Sequence, residues 1–239
     1  MLGHTLQQVD HHPYLGVELS KTLDWGPHIT NVIPKAQRSL NFLRRNLSGC
    51  SKDTKEKAYK SLVRPLLEYG SAAWDPYHAS HIKKLESVQR RAARFATSQH
   101  HPLASVTDMM DELNWRTLQE RRLVARLAMM YKAVHHQAAC YIPPYLSQAV
   151  TRARTSHQHQ FNLPQTRVDT YRFSFFPRTI KTWNILPNAI VSAPDVDVFK
   201  LSLQQQFASG LMYVIPPKGT QERPRYGSTS AVQGVGPVY

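Results

Sequence analysis

The acidic residues are the first place to look for metal-dependent chemistry, because polymerases and nucleases hold two divalent metals with clustered carboxylates. The 239 residues contain only 16 Asp and Glu, and these are scattered along the chain. The densest group is Asp108, Asp111 and Glu112, beside two methionines on a short predicted helix. Negative charge near a helix start is the more common reason for such a group. We therefore predict no metal site and no catalytic residue in this chain.

The histidines and cysteines do not form a recognisable catalytic or metal-binding pattern. Three adjacent histidine pairs stand at 11–12, 100–101 and 135–136. Neighbouring side chains point apart, so such pairs chelate poorly. Cys140, His157 and His159 lack the second cysteine and the spacing of a zinc site. The chain also has no glycine-rich phosphate loop, so the residues alone do not indicate an enzyme.

The charge balance is the strongest functional signal. Thirty Lys and Arg against 16 Asp and Glu give a net charge of +14, which attracts polyanions. Nucleic acid is the expected partner, and a merely basic soluble protein is the alternative. Two cysteines favour a reducing compartment, so we expect an intracellular protein of the nucleus or cytoplasm. No apolar stretch reaches the roughly 20 residues of a membrane span, and residues 1–10 do not resemble a secretory signal.

The positive charge is concentrated in two helical stretches. Between positions 35 and 64 the basic residues are Lys35, Arg38, Arg44, Arg45, Lys52, Lys55, Lys57, Lys60 and Arg64. Between positions 81 and 94 they are Lys83, Lys84, Arg90, Arg91 and Arg94. Most lie off the apolar stripe of their helix, where Arg can fork two hydrogen bonds to a phosphate and Lys supplies a point charge. The alternative is an ordinary solvated helical face.

The aromatic segment 171–178 allows two interpretations. Its alternation of aromatic residues with Arg172 and Arg178 is suited to stacking bases. At a period of two, Tyr171, Phe173 and Phe175 would instead share one buried face of a strand, and we favour this interpretation.

The N-terminal region predicts a β-hairpin without a sheet. Residues 5–9 and 14–19 alternate apolar and polar positions, with a turn at 10–13. Two strands alone are marginally stable in water. The hairpin is therefore either the edge of a structure that is missing or docked on the helices that follow.

The region after Asp24 predicts a bundle of helices. Ile29, Val32, Ala36, Leu40 and Leu43 recur at three- and four-residue steps, and Ser51 can cap the next helix. That helix covers about 53–70, and Pro65 must kink or restart it. A loop at 74–76 precedes further helices at about 82–95, 105–113 and 116–135. We assign Trp74 and Trp183 to packing between helices.

The chain after position 140 has a looser composition. We predict a linker at residues 143–159 and a strand at 171–176. Two helices are predicted to follow, from about 178 to Pro187 and at 195–208. Residues 209–239 hold five of the ten glycines and little apolar content, which indicates disorder. The predicted fold is mainly α, with an N-terminal hairpin, a helical bundle, an α+β C-terminal segment and a disordered tail.

Six strings in order carry a resemblance to a known family. They are Tyr14–Val17 with Leu23–Trp25 and His28–Ile29, Ala58–Gly70, Trp74–Tyr77, Leu85–Phe95, Leu118–Arg122, and Phe175–Ile180 with Trp183–Asn184 and Leu186–Pro187. Over about 2–207 the chain resembles the C-terminal region of reverse transcriptases from non-LTR, jockey-like (LINE-type) retrotransposons.

The resemblance implies a position within a larger polymerase. Residues 1–22 would be the palm-edge primer-grip hairpin, 23–138 a basic thumb-like domain, 139–208 a post-thumb segment and 209–239 the tail. Catalytic aspartates and Mg²⁺ would belong to a preceding palm that this sequence lacks, so we expect no cofactor and no catalysis by the chain alone. A palm supplied in trans is one conceivable partner.

The resulting hypothesis is sequence-independent binding of template–primer nucleic acid. The residues expected to contact it are Tyr14, Gly16, Lys55, Lys57, Lys60, Lys83, Lys84, Arg90, Arg91 and Arg94. Two alternatives are a retained helical protein-interaction module and a pseudogene product without function. The sequence leaves the oligomeric state open.

Overall fold

The computed structural model describes residues 8–137, 141–149 and 157–210, and it is mainly helical, as predicted. The strands are β1 (His11–Tyr14) and β2 (Val17–Ser20). The longer helices are α1 (Gly26–Asn46), α2 (Lys52–Leu62), α5 (Ala79–Thr97), α6 (Val106–Glu112), α7 (Leu118–Val134), α9 (Phe175–Trp183) and α11 (Val196–Ala208). The short ones are α3 (Arg64–Glu68), α4 (Ser71–Trp74), α8 (Asp169–Arg172) and α10 (Asn188–Val191). Residues 1–7, most of the predicted tail and the Arg152–Arg154 linker lie outside the described residues.

The hairpin exists, but its predicted register is wrong. The strands pair antiparallel from His11 with Ser20 to Tyr14 with Val17, so the turn is at residues 15–16 and not at 10–13. Leu15 and Gly16 both have positive φ, 46° and 81°, as a two-residue type I′ turn requires. Leucine rarely adopts this conformation, and for that reason the alternation of 14–19 was interpreted as one unbroken strand.

The hairpin docks on the helices, which was one of the two alternatives. The Tyr69 hydroxyl donates to the Leu15 carbonyl at 3.1 Å, and the amide of Glu18 donates to Nδ1 of His28 at 3.2 Å. Gly70, at φ 63°, lies against Val17. The two strands therefore gain from α1 and α3 the support that an isolated hairpin lacks.

The first hydrophobic cluster lies among α1 to α6. Its fully buried members include Ile29, Tyr59, Leu67, Trp74 and Leu85. Ser51 caps α2 by accepting from the Thr54 amide, as predicted. Pro65 restarts the helix, because α2 ends at Leu62 and Pro65 occupies the first turn of α3, where its missing N–H costs nothing. The predicted loop at 74–76 is confirmed for Asp75 and Pro76 and is wrong for Trp74, which ends α4.

The second hydrophobic cluster lies among α7, α9, α10 and α11. Its buried members include Leu127, Tyr131, Trp183, Phe199 and Leu203. Trp74 and Trp183 are both fully buried, which confirms their assignment to packing. The α7 helix contributes Leu118 to the first cluster and its later turns to the second, so it joins them.

The predicted strand at 171–176 is wrong. Residues 169–172 form α8, and α9 begins at Phe175. Pro177 lies in the first turn of α9, where helix amides need no intrahelical acceptor. The linker prediction is also wrong for His157, which is buried with Nε2 3.1 Å from the Trp183 carbonyl. The extended pairing described in this segment is one bridge between Gln148 and Phe161. Among the described residues, no helix is long and apolar enough to cross a membrane.

Candidate nucleic-acid interface

One face of α5 carries five basic side chains. At 3.6 residues per turn they fall within roughly a third of the helix circumference. Its opposite face supplies Leu85, Val88 and Ala92 to the first cluster. The five are Lys83, Lys84, Arg90, Arg91 and Arg94, of which the first four are exposed and Arg94 is half-buried. We call this set the α5 basic face.

The single acidic residue of α5 points away from that face. Glu86 accepts the amides of Leu118 and Gln119 at 3.3 and 2.8 Å and so caps the start of α7. Burial raises the pKa of Glu86, and the nearby Arg122 guanidinium opposes this shift. Because Glu86 is turned inward, no side chain of the α5 basic face forms an ion pair within the described part of the chain.

Two arginines of this face are held by backbone carbonyls. Nη1 of Arg94 donates to the His101 carbonyl at 3.1 Å, and Nε of Arg91 lies 3.5 Å from the Ser87 carbonyl. Both bonds leave further guanidinium N–H groups available, since each guanidinium carries five donors. These contacts orient the side chains and leave their positive charge uncompensated.

A basic cavity of about 500 Å³ lies between the C-terminal ends of α1 and α5. It is lined by Asn41, Arg44, Arg45, Ser48, Lys55, Phe95, Ser98 and His100. Lys55 is only 4% exposed, and its ammonium donates to the Ser98 hydroxyl at 2.7 Å. The structure therefore places Lys55 inside this cavity and separates it from Lys57 and Lys60.

Lys57 and Lys60 are paired within α2. The Lys57 ammonium lies 2.8 Å from the Asp53 carboxylate, and this hydrogen bond raises the pKa of Lys57. Lys60 pairs with Glu56 one turn earlier. The pair of Lys57 with Asp53 is exposed and therefore weak, so Lys57 can exchange its carboxylate for a phosphate, whereas the pair of Lys60 with Glu56 is half-buried.

The two hairpin residues predicted to contact nucleic acid, Tyr14 and Gly16, are not part of the α5 basic face. Tyr14 is exposed, and Gly16 lies against the Tyr69 ring, so close that an added Cβ would be 3.2 Å from Cε1. The structure brings Gly16 to Tyr69. The role of Tyr14 and Gly16 as a primer grip stays a prediction.

A buried ion cluster is the main feature that sequence reasoning missed. Asp75, 8% exposed, accepts Nε of Arg122 at 2.9 Å, a guanidinium N–H of Arg126, and Nη2 of Arg178 at 3.2 Å. Arg122 and Arg126 are also buried, and burial lowers the pKa of Arg126 to about 10. We call these four residues the Asp75 cluster. A usable signal was present, because Arg122 and Arg126 fall on the apolar side of α7, where a cation requires a partner.

The strings that carry the family resemblance meet in space. Asp75, Arg122 and Arg178 come from three different strings and join in the Asp75 cluster. Glu68 accepts two guanidinium N–H groups of Arg121, and this pair joins the string Ala58–Gly70 to the string Leu118–Arg122. Most of these residues therefore hold helices together, whereas Arg90 and Arg91 of the string Leu85–Phe95 remain exposed on the α5 basic face.

The predicted acidic group is dispersed by the fold. Asp108 lies in the first turn of α6, behind its Ser105 cap, and Glu112 pairs with Lys52 of α2. Within the described ranges, no group of three or more His, Cys, Asp or Glu side chains is placed to hold a metal ion.

Comparison with curated proteins relates part of the chain to polymerases of mobile elements. One stretch of 87 residues, 35% of this chain, is 30% identical to a probable RNA-directed DNA polymerase from transposon X-element of Drosophila melanogaster. Another of 122 residues, 50% of the chain, is 29% identical to a probable RNA-directed DNA polymerase from transposon BS of the same fly. The matches cover 10% and 13% of those proteins. No family model and no solved structure matches. The chain contains a region related to transposon RNA-directed DNA polymerases.

Proposed function

We propose that this chain is the thumb-like, nucleic-acid-holding part of a non-LTR retrotransposon reverse transcriptase. It binds template–primer duplex through the phosphate backbone and does not read the bases. The observation that carries this proposal is the α5 basic face, whose five cations have no carboxylate partner in the described structure. The relationship to transposon polymerases supports nucleic acid as the polyanion.

The dimensions of the α5 basic face suit a nucleic-acid backbone. Lys83 and Arg94 are separated by about 16 Å along the axis, from a rise of about 1.5 Å per residue. Phosphates of one strand advance about 3.4 Å per step, so the face spans about five steps. Contacts of this kind fix the position of a protein on a duplex and carry no sequence information. The cavity with Arg44, Arg45 and Lys55 would extend the same surface beyond the end of α5.

In this proposal catalysis belongs to another part of the polymerase. A palm domain would supply the carboxylates and the Mg²⁺, and the polymerase would work in the nucleus or cytoplasm. The small share of the related polymerases that the chain matches is in keeping with this division.

The test is a salt titration of duplex binding by the chain and by a variant with four substitutions, Lys83, Lys84, Arg90 and Arg91→Gln. Each phosphate contact contributes about 0.9 to the slope of log K against log salt. We expect the variant to lose roughly three to four units of slope if all four residues contact phosphates. RNA–DNA and DNA duplexes of unrelated sequence should behave alike.

A matched control removes the same charge elsewhere. Lys21, Arg172, Lys181 and Lys200→Gln also lowers the net charge from +14 to +10 but leaves the α5 basic face intact. We expect this control to keep most of the affinity and slope. Equal losses in both variants would mean that net charge alone drives binding, and binding without salt dependence would refute the proposal.

A further inference from the structure

The Asp75 cluster leaves buried donors without acceptors. Nη1 and Nη2 of Arg122 and Nε of Arg126 are buried and have no hydrogen-bond partner in the described structure. Both side chains carry guanidinium groups, which are not deprotonated in proteins. A buried donor without an acceptor, and a buried charge without compensation, each carry a large desolvation cost.

The charges of this cluster do not cancel. Three guanidinium groups share the single carboxylate of Asp75. Glu86 is close enough to Arg122 to act on it electrostatically, but its oxygens accept the first amides of α7. Even with Glu86 ionised, the three arginines of the Asp75 cluster outnumber these two carboxylates, so the group keeps a net positive charge.

A cavity of about 110 Å³ adjoins the cluster and has the chemistry of an anion site. Its polar and charged lining consists of Asp75, Tyr77, Arg126, Thr170, Ser174 and Arg178, and its apolar lining includes Trp25, Phe173 and Phe175. The volume exceeds that of a single water several times. Aromatic walls lower the local dielectric, so the two arginines attract an anion more strongly there than at the surface.

Water alone would satisfy the free donors but would leave the net charge unchanged. A small anion in the cavity neutralises part of the excess charge and accepts from Arg126, whose side chain lines the cavity. We propose that this cavity binds one small inorganic oxyanion, phosphate or sulfate, between Arg126 and Arg178. The site is separate from the α5 basic face and stabilises the junction of α4, α7 and α9.

The test is thermal unfolding of the full chain at constant ionic strength. Sodium isethionate, whose anion is larger, is replaced stepwise by sodium phosphate or sulfate. An anion bound only by the native state raises Tm with the logarithm of its concentration. We expect a rise of roughly 3–6 °C at ten times the Kd. If Tm in phosphate or sulfate is no higher than Tm in isethionate at the same ionic strength, the proposal is overturned.

Two substitutions test whether the phosphate-dependent rise in Tm comes from the proposed cavity. Arg126→Met should abolish the phosphate-dependent rise in Tm, whereas Arg38→Met, an exposed charge loss on α1, should keep it. Arg126→Met should still bind duplex with the wild-type salt slope, which separates this site from the proposed nucleic-acid surface. A full phosphate effect in Arg126→Met would refute the assignment.

A second variant covers the case in which Arg126→Met does not fold. Thr170→Glu places a carboxylate at the rim of the cavity, from a position on α8 that is exposed. The new carboxylate should take the place of the anion, so the protein folds and its Tm no longer responds to phosphate. Retention of the whole phosphate response by Thr170→Glu would overturn the proposal.

Discussion

Asp75 is one carboxylate that connects three helical elements. It follows α4 directly, and its oxygens accept guanidinium groups from α7 and α9. The Arg178 guanidinium also donates to the Asp75 carbonyl at 2.8 Å, so backbone and side chain are both engaged. The position of α9 on the bundle therefore depends on a residue about a hundred positions earlier.

Replacing Asp75 by Asn should be strongly destabilising. The change removes one negative charge and leaves three guanidinium groups without a carboxylate. Breaking a buried pair in this way costs about 3–5 kcal/mol. Urea unfolding monitored by circular dichroism measures the loss. Asp53→Asn, in the exposed pair with Lys57, is the control and should change stability little. A small loss in Asp75→Asn would mean that the cluster is not essential for the fold.

His28 makes stability depend on pH. Burial lowers the pKa of His28 below its ordinary value of 6.5, and its Nδ1 must stay unprotonated to accept the Glu18 amide. The unfolded chain therefore binds this proton more readily, so the contribution is complete above pH 6.5 and is lost as pH falls towards the lowered pKa.

His28→Gln should flatten this part of the pH profile. We expect the free energy of unfolding of the wild type to fall more steeply than that of the variant between about pH 7 and 5. Urea titrations at each pH measure the difference. His100→Gln, at an exposed position, is the control and should follow the wild type. Parallel profiles for wild type and His28→Gln would contradict the assignment.

At the scale of elements, apolar spacing predicts helices well and predicts turns poorly. The stripe of Ile29, Val32, Ala36, Leu40 and Leu43 defines α1 because burial of that stripe is what stabilises the helix. The turn at Leu15–Gly16 is not visible in the pattern, since it depends on one non-glycine residue held at positive φ by Tyr69.

The candidate site likewise has one part that the sequence predicts and one part that it does not. The α5 basic face follows from the helical period, because exposure of one face is set by burial of the other. The apolar side of α7 indicates that Arg122 and Arg126 need a partner, but the identity of that partner could not be predicted, since the members of the Asp75 cluster lie 47 to 103 positions from Asp75 and meet only through tertiary packing. The burial of Lys55 depends likewise on α5, which supplies Ser98 and Phe95 around it.

Gly16→Ala tests the docking of the hairpin element. The substitution meets two obstacles, a φ of 81° and a Cβ position 3.2 Å from the Tyr69 ring. We expect a loss of about 1–2 kcal/mol, from the cost of a left-handed conformation. Gly49→Ala is the control, because nothing lies within 4 Å of its added Cβ. Equal stability of the two variants in urea would show that the hairpin does not support the bundle.

At the scale of the molecule, α7 is shared by both hydrophobic clusters. Leu118 packs with the first cluster, and Leu123, Leu127 and Tyr131 pack with the second. The Asp75 cluster and the pair of Arg121 with Glu68 add polar links at the same helix. The two clusters should therefore unfold in one transition.

Leu203→Ala tests this coupling. Leu203 is fully buried in the second cluster, whereas three of the four tryptophans, Trp25, Trp74 and Trp115, pack in or against the first. The cavity should cost about 2–5 kcal/mol and shift the fluorescence midpoint in urea by the same free energy as the circular dichroism midpoint. Leu201→Ala, exposed on the same helix, should shift neither. A fluorescence midpoint that does not move would mean that the clusters unfold independently.

The separation of Asp75 from Arg178 also sets an order of events during synthesis. Arg122 and Arg126 follow Asp75 by 47 and 51 residues, and Arg178 follows by 103. At roughly 5–20 residues per second, Arg178 is translated about 5–20 s after Asp75. A nascent chain thus acquires the two arginines of α7 first, and α9 joins the bundle only after Arg178 has been synthesised.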